Sequence, residues 1–195
     1  MKLSTTRELY DYWDRSRGDR LAPDRDDIEP GAIRACLGNT FIVAFDPDGD
    51  HPFRLAGTAI CALFGRELKG SRFLDLWSPD SRDAVIQLAG TICEETAGAV
   101  AGVTGTNADG ETVVLEMMVL PLGCRDRTPE RLLGSLAPTT TPYWLGTRPI
   151  ETLSIGDLRY VGPAIDSVAP PRFSSGQDNP LTGCGFTVYQ GGRPD

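Results

Sequence analysis

The sequence predicts an α+β fold: a five-stranded antiparallel sheet with helices on one face and an amino-terminal helix covering the other. Three observations carry this. Two β-rich segments come first, then three helical segments, then three more strands. The turns inside each strand group are short and built from Asp, Asn, Pro and Gly, as hairpins require. Finally, the strand over 113–120 is apolar on both sides, with Val113, Leu115, Met117 and Val119 alternating with Val114, Glu116, Met118 and Leu120. An antiparallel sheet ordinarily leaves one face wet, so here both faces need a cover.

The elements follow in order. Thr5 and Glu8 have capping-box spacing, and Leu9, Tyr12 and Trp13 then share one side of a helix that stops near Gly18. Residues 19–29 are charged, Pro-containing and turn-forming, hence a connector. Glu29 and Pro30 start a short helix whose apolar side is Ile33, Cys36 and Leu37, with Gly38 as its stop. The run 40–45 is a strand, the turn Asp46-Pro47-Asp48-Gly49 follows, and a second strand starts at Phe53. Ala59, Ile60, Cys61, Leu63 and Phe64 form a short helix ended by Gly65, and 68–77 is irregular. Ser78-Pro79 opens the clearest helix, in which Val85, Leu88, Ala89, Ile92 and Cys93 recur at helical spacing and Gly98 marks the stop. A meander over 100–106, 112–122 and 131–136 turns at Asn107-Ala108-Asp109-Gly110, and 149–161 offers a possible further strand. The domain reading is a helical lead over 1–37, a sheet domain over 38–162, and a Pro- and Gly-rich, largely disordered tail over 163–195.

At 195 residues and 40% apolar the chain suits one core. Its 19 basic against 27 acidic residues leave a net charge of −8, which argues against nucleic acid as a partner. No segment reaches the roughly 20 apolar residues of a membrane helix, and the charged start lacks a secretory segment. A cytoplasmic location is expected, with no membrane association. His51 is the sole histidine, which removes multi-histidine metal sites and leaves any triad resting on one position. The five cysteines form no CxxC pair. Neither a GxGxxG nor a GxxxxGK[ST] loop is present, nor a GxSxG elbow.

The element order, together with FRLAGTAICALFGRELKGSRFLDLW (53–77), NADGETVVLEMMVLPL (107–122) and the lead YDYWDRSRGDRLAPDRDDIEPGAIRACL (10–37), resembles the PAS domain. The likeness is to a bacterial family of small single-PAS proteins with a helical amino-terminal extension and no output domain. The resemblance implies a sensory or regulatory role in signal transduction, through ligand binding, homodimerisation or contact with a signalling protein. It also bears on cofactors. The flavin photosensor branch carries Gly-x-Asn-Cys-Arg-Phe-Leu-Gln, and here Ser71 in Gly70-Ser71-Arg72-Phe73-Leu74-Asp75 stands at the cysteine's place, so no thiol adduct can form there. Haem branches need an axial ligand near the long helix, whereas His51 lies at a hairpin turn and is expected to be solvent-exposed. No cofactor is expected.

The pocket that the resemblance implies lies between the sheet and the short helices. Cys61, Phe64, Phe73, Trp77 and Met117 would line it against a small apolar ligand; the same side chains as plain core is the reading that the small size of the domain favours, since these are its largest apolar groups. Leu9, Tyr12, Trp13 and Met118 are the expected interface on the outer face, covered by the lead, a second copy, or both. No catalytic residue is assigned and the chain is not expected to be an enzyme. The first alternative is a ligand-free protein-interaction module with a solid core; behind it stands an enzyme of unrecognised type, which would use Glu116 or a cysteine (Cys61, Cys93). Glu116 is expected on the covered outer face, paired with an arginine or near its edge. The Arg66–Arg72 run is either an anion contact or a solvated loop.

Overall fold

The computed structural model describes residues 1–46, 49–125 and 128–162, with side chains omitted at 124, 125 and 128–130. The tail expected over 163–195 lies outside the described residues. Three helices, α1 (Ser4–Arg17), α2 (Thr58–Phe64) and α3 (Pro79–Glu95), accompany six strands: β1 (Thr40–Ala44), β2 (Phe53–Ala56), β3 (Gly98–Asn107), β4 (Thr112–Arg125), β5 (Thr128–Pro138) and β6 (Ile150–Val161). The sheet order is β2-β1-β5-β4-β3-β6, and all its pairings are antiparallel.

The expected five strands are therefore six. β6 pairs along β3 from Val161 opposite Gly98 to Ile150 opposite Asn107. Its periodicity is weak because, as an edge strand, it buries few residues deeply, chiefly Ile150 and Leu153. The neighbouring helix ties it down: Ser78 N–H donates to Leu153 O (2.8 Å), and Ile155 N–H donates to Ser81 Oγ (3.1 Å).

On the inner face, α2, α3 and the turn at Phe73–Leu76 pack on inward-pointing Phe41, Val43, Val113, Leu115, Met117 and Val119. Gly65 ends α2 in the left-handed region (φ +61°), where a side chain would be strained. Gly134 in β5 leaves room for the Phe41 ring, which an added Cβ would strike. The stop of α3 differs from the expected glycine: Thr96 takes the left-handed position (φ +53°) and Gly98 already starts β3. Gly98 is small for a packing reason instead, since a Cβ there would overlap the Leu120 side chain.

The outer face is covered by the lead. Leu9 and Trp13 of α1 bury with Ala22, Ile28, Ile33 and Cys36 against Ile42, Val100, Met118, Leu120 and Leu133. The segment after the connector is a 3₁₀ turn over Pro30–Ile33 rather than an α-helix, with a second over Leu37–Asn39. The capping box expected from Thr5 and Glu8 does not form. Leu3 occupies the N-cap position without a side-chain hydrogen bond, which places Thr5 inside the first turn, and the Leu3 N–H itself meets a carboxylate from the sheet.

Candidate functional site

The outer face is built around that carboxylate. Glu116 projects from β4 toward the lead and is buried. It accepts hydrogen bonds from the Lys2 N–H at Oε2 (2.6 Å) and the Leu3 N–H at Oε1 (3.1 Å). It thus meets the amides of the N-cap residue and of the residue before it, at the end of α1 where negative charge suits the helix dipole. The expected arginine partner is replaced by backbone. Further along α1, Trp13 Nε1–H donates to Pro121 O (2.8 Å), and the Arg17 guanidinium lies 5.7 Å from the indole. Tyr12 closes the connector onto the helix: its hydroxyl donates to Asp27 O (2.9 Å) and accepts from Glu29 N–H (2.7 Å). Gly123 N–H donates to Pro23 O (2.9 Å), fastening the connector to β4. Of the expected interface residues, Leu9, Trp13 and Met118 are fully buried within the chain, and Tyr12 packs beside them.

Beyond the start of α1 the cover ends. Val114, on the same face as Glu116 and Met118, is 50% exposed. A cavity of about 480 Å³ lies there, lined by Lys2, Glu116, Val114, Asp157 and Arg159 among others.

On the inner face the structure brings Cys61, Phe64, Phe73, Trp77 and Met117 into one apolar cluster. Phe73 is its centre, stacked on Phe41 (5.5 Å between centroids) and edge-on to Phe53 (5.6 Å) and Trp77 (5.7 Å). These spacings are those of favourable aromatic pairs. The Trp77 indole N–H is buried without an acceptor. Cys61 Sγ lies 3.7 Å from Glu67 Oε2 and 3.9 Å from Ala56 O, so its near charged neighbour is a carboxylate, the opposite of what activates a thiol. Ser71, at the photosensor cysteine's place, donates from Oγ to Leu68 O (2.6 Å). In the Arg66–Arg72 run, Arg72 forms an exposed ion pair with Asp50 (3.3 Å).

His51 corrects an expectation. It is 2% exposed, with φ +41°, and its ring stacks on Phe45 at 5.4 Å. Nδ1 accepts a hydrogen bond from Asp46 N–H (3.1 Å), while Nε2 is buried without a partner. Burial lowers its pKa below the ordinary histidine value, against the opposing pull of Asp46 and Asp50. Its place at a hairpin turn suggested exposure; the hairpin instead folds the imidazole back under Phe45.

A further polar cluster had no sequence signal, because its members lie far apart in the chain. Glu111 accepts from Tyr143 OH (2.6 Å), Arg148 Nη1 (2.7 Å) and Asn107 Nδ2 (2.9 Å). These bonds, Tyr143's first, hold its carboxyl below the usual range. The cluster pins the connection between β5 and β6 to the β3–β4 turn while Trp144 from that connection enters the core.

One antiparallel sheet, with short helices on one face and a helical lead closed over the other, defines the class of domain. The model of the PAS domain family matches residues 1–137, which includes the whole lead and most of the sheet. The chain belongs to the PAS domain family, whose members are in general sensory domains of signalling systems rather than catalysts. Similar solved structures include a light-oxygen-voltage domain studied with a flavin analogue (17% identity, 58% of this chain and 85% of that one, TM-score 0.45). The LOV protein of Rhodobacter sphaeroides is similar at 16% identity over 53% of this chain and 60% of that one (TM-score 0.43). The PAS domain of an HTR-like protein from Haloarcula marismortui is similar at 17% identity over 55% and 89% (TM-score 0.40). No curated protein matches the chain. Among the described residues no helix is long and apolar enough to cross a membrane.

Proposed function

We propose that this chain is a non-catalytic regulatory module of bacterial signalling, working in the cytoplasm by shifting the balance between a docked and a released lead. The observation that carries this is the way α1 is held. One apolar stripe, Leu9 and Trp13, and a few polar fastenings at Glu116, Pro121 and Tyr12 attach it to a sheet face that is itself apolar. A ligand or partner that favours one arrangement would change what that face presents. A signalling protein or a second copy of the chain is the partner in this reading, since released Met118, Leu120 and Leu133 would form an apolar patch.

The input in this reading is a small apolar ligand held by Cys61, Phe64, Phe73, Trp77 and Met117. The unpartnered Trp77 N–H supports it, because a buried donor without an acceptor is costly and a ligand oxygen would relieve it. The second reading, a ligand-free interaction module, is favoured by the mutual stacking of Phe41, Phe53, Phe73 and Trp77. Native mass spectrometry of the purified protein separates the two: a co-purified small molecule supports the first, and a bare chain supports the second. The regulatory reading itself is tested by removing residues 1–20. Unchanged oligomeric state, stability and partner binding would end it.

A further inference from the structure

Three arginines converge on the outer face at the edge of the sheet remote from β6. A groove of about 650 Å³ is lined by Arg25, Arg54 and Arg131, with Ile42, Ala44, Phe45 and Leu55 making up the rest of its wall. The guanidiniums come from three separate parts of the chain. Arg25 belongs to the connector of the lead, Arg54 to the edge strand β2, and Arg131 to β5. None of the three makes an ion pair or side-chain hydrogen bond among the described residues.

That is unexpected in a chain of net charge −8, where carboxylates are plentiful. Among the described residues, two of the neighbouring carboxylates are engaged elsewhere, and the exposed Asp26 pairs with none of the three arginines. Asp24 and Asp27, which bracket Arg25, both face Arg20, at 3.2 and 2.7 Å. Asp27 also accepts the Asp24 N–H in a capping box, and that bond, with Arg20, holds its carboxyl below the usual range. Arg54 is placed by a bulge. Ile42 pairs with Leu55 and Val43 with Phe53, so Arg54 is the extra residue of the edge strand, and such bulges re-aim side chains. Three like charges at one concavity repel one another, and an anion of matching charge removes that repulsion.

We propose that this groove binds a small polyanion, a compound carrying phosphate or several carboxylate groups, with its less polar part against Phe45 and Leu55. The guanidinium fork suits both anion types, since it donates paired N–H bonds to planar or tetrahedral oxygens. Because Arg25 belongs to the lead while Arg54 and Arg131 belong to the sheet, an anion held by all three bridges the two. The site is distinct from the inner-face cluster and stands without the ligand reading given for that cluster.

The test is isothermal titration calorimetry of the full chain at low ionic strength, with sodium pyrophosphate and, separately, with citrate. The expected result is one saturable site for at least one probe, weakened about tenfold or more by each of Arg25→Gln, Arg54→Gln and Arg131→Gln. Arg159→Gln, on the same sheet face but beside Lys2, leaves it unchanged. Preference for pyrophosphate assigns a phosphate-bearing ligand, and preference for citrate a polycarboxylate. Thermal unfolding separates binding from folding: pyrophosphate or citrate raises the Tm of the wild type, and the Gln variants lose that rise while their unliganded Tm is unchanged or higher. Absence of saturable binding of both probes at millimolar concentration overturns the proposal. So does binding that survives the triple variant, or an unliganded Tm that falls in every Gln variant.

Discussion

The two faces of the sheet are both buried, but in different ways. The inner face is covered by chain threaded between the strands: α2, the turn at Phe73–Leu76 and α3 all connect β2 to β3, so they cannot leave without dismantling the sheet. The outer face is covered by a segment that precedes the first strand. Its buried set, centred on Leu9, Trp13, Met118 and Leu133, is smaller than the inner one. Similar apolar chemistry thus covers both faces, and connectivity makes the difference between them: one cover is threaded between strands and the other precedes them.

The sharpest way to break this comparison is to remove one large side chain from each face. Phe73→Ala and Trp13→Ala are each expected to cost about 3–5 kcal/mol. Phe73→Ala should lower the stability of the whole domain, seen as one shifted denaturant transition. Trp13→Ala should loosen the lead first. Hydrogen exchange is then expected to accelerate over α1 and the connector while β4 and β5 stay protected. Uniform acceleration in the Trp13 variant would make the two faces a single cooperative unit.

A smaller effect is expected at the polar fastening. Glu116→Gln keeps the shape but replaces a charged acceptor by an amide, and should cost about 1.5 kcal/mol, the usual difference scale for a charge-assisted bond. Lead-specific exchange or limited proteolysis near α1 checks it, and an unchanged lead would show that the apolar stripe suffices. Tyr12→Phe deletes the hydroxyl that joins Asp27 O to Glu29 N–H, with an expected loss of about 1 kcal/mol confined to the connector.

His51 offers a pH handle on the hairpin next to the inner core. Its folded pKa lies below the unfolded value of about 6.5, so the unfolded chain binds the proton more readily. Stability is expected to fall as pH drops through about 6.5 and to keep falling until the lowered folded pKa is passed. Above that window the histidine contributes no slope. His51→Asn, whose residue tolerates the φ of +41°, should flatten this part of the pH profile measured by denaturant titration. A profile identical to wild type would mean that other groups carry the dependence.

Much of the fold was legible because local periodicity reports burial. The alternation in β4, with Met117 inward and Met118 outward, required covers on both faces, and Leu9 and Trp13 on one side of α1 supplied a candidate for one of them. The stop at Gly65 and the turn at Asn107 were equally readable, since both rest on backbone preferences of single residues. The family likeness came from these same stretches.

What depends on residues distant in the chain was not legible. Glu116 stood out as a carboxylate among apolar neighbours, yet nothing local said that its partners are the amides of Lys2 and Leu3. The weak pattern of β6 needed β3 and the start of α3 to become a strand, and the buried place of His51 needed Phe45 folded over it. The sequence by itself determined the strongly patterned helices and strands, α1, α3 and β4 among them, and which sides of them must leave water, because those follow from spacing and side-chain chemistry. Only the tertiary structure decided which apolar face meets which, what meets the start of α1, and where Arg25, Arg54 and Arg131 converge, because hydrogen bonds and charges act over a few ångströms between residues that can lie more than a hundred positions apart.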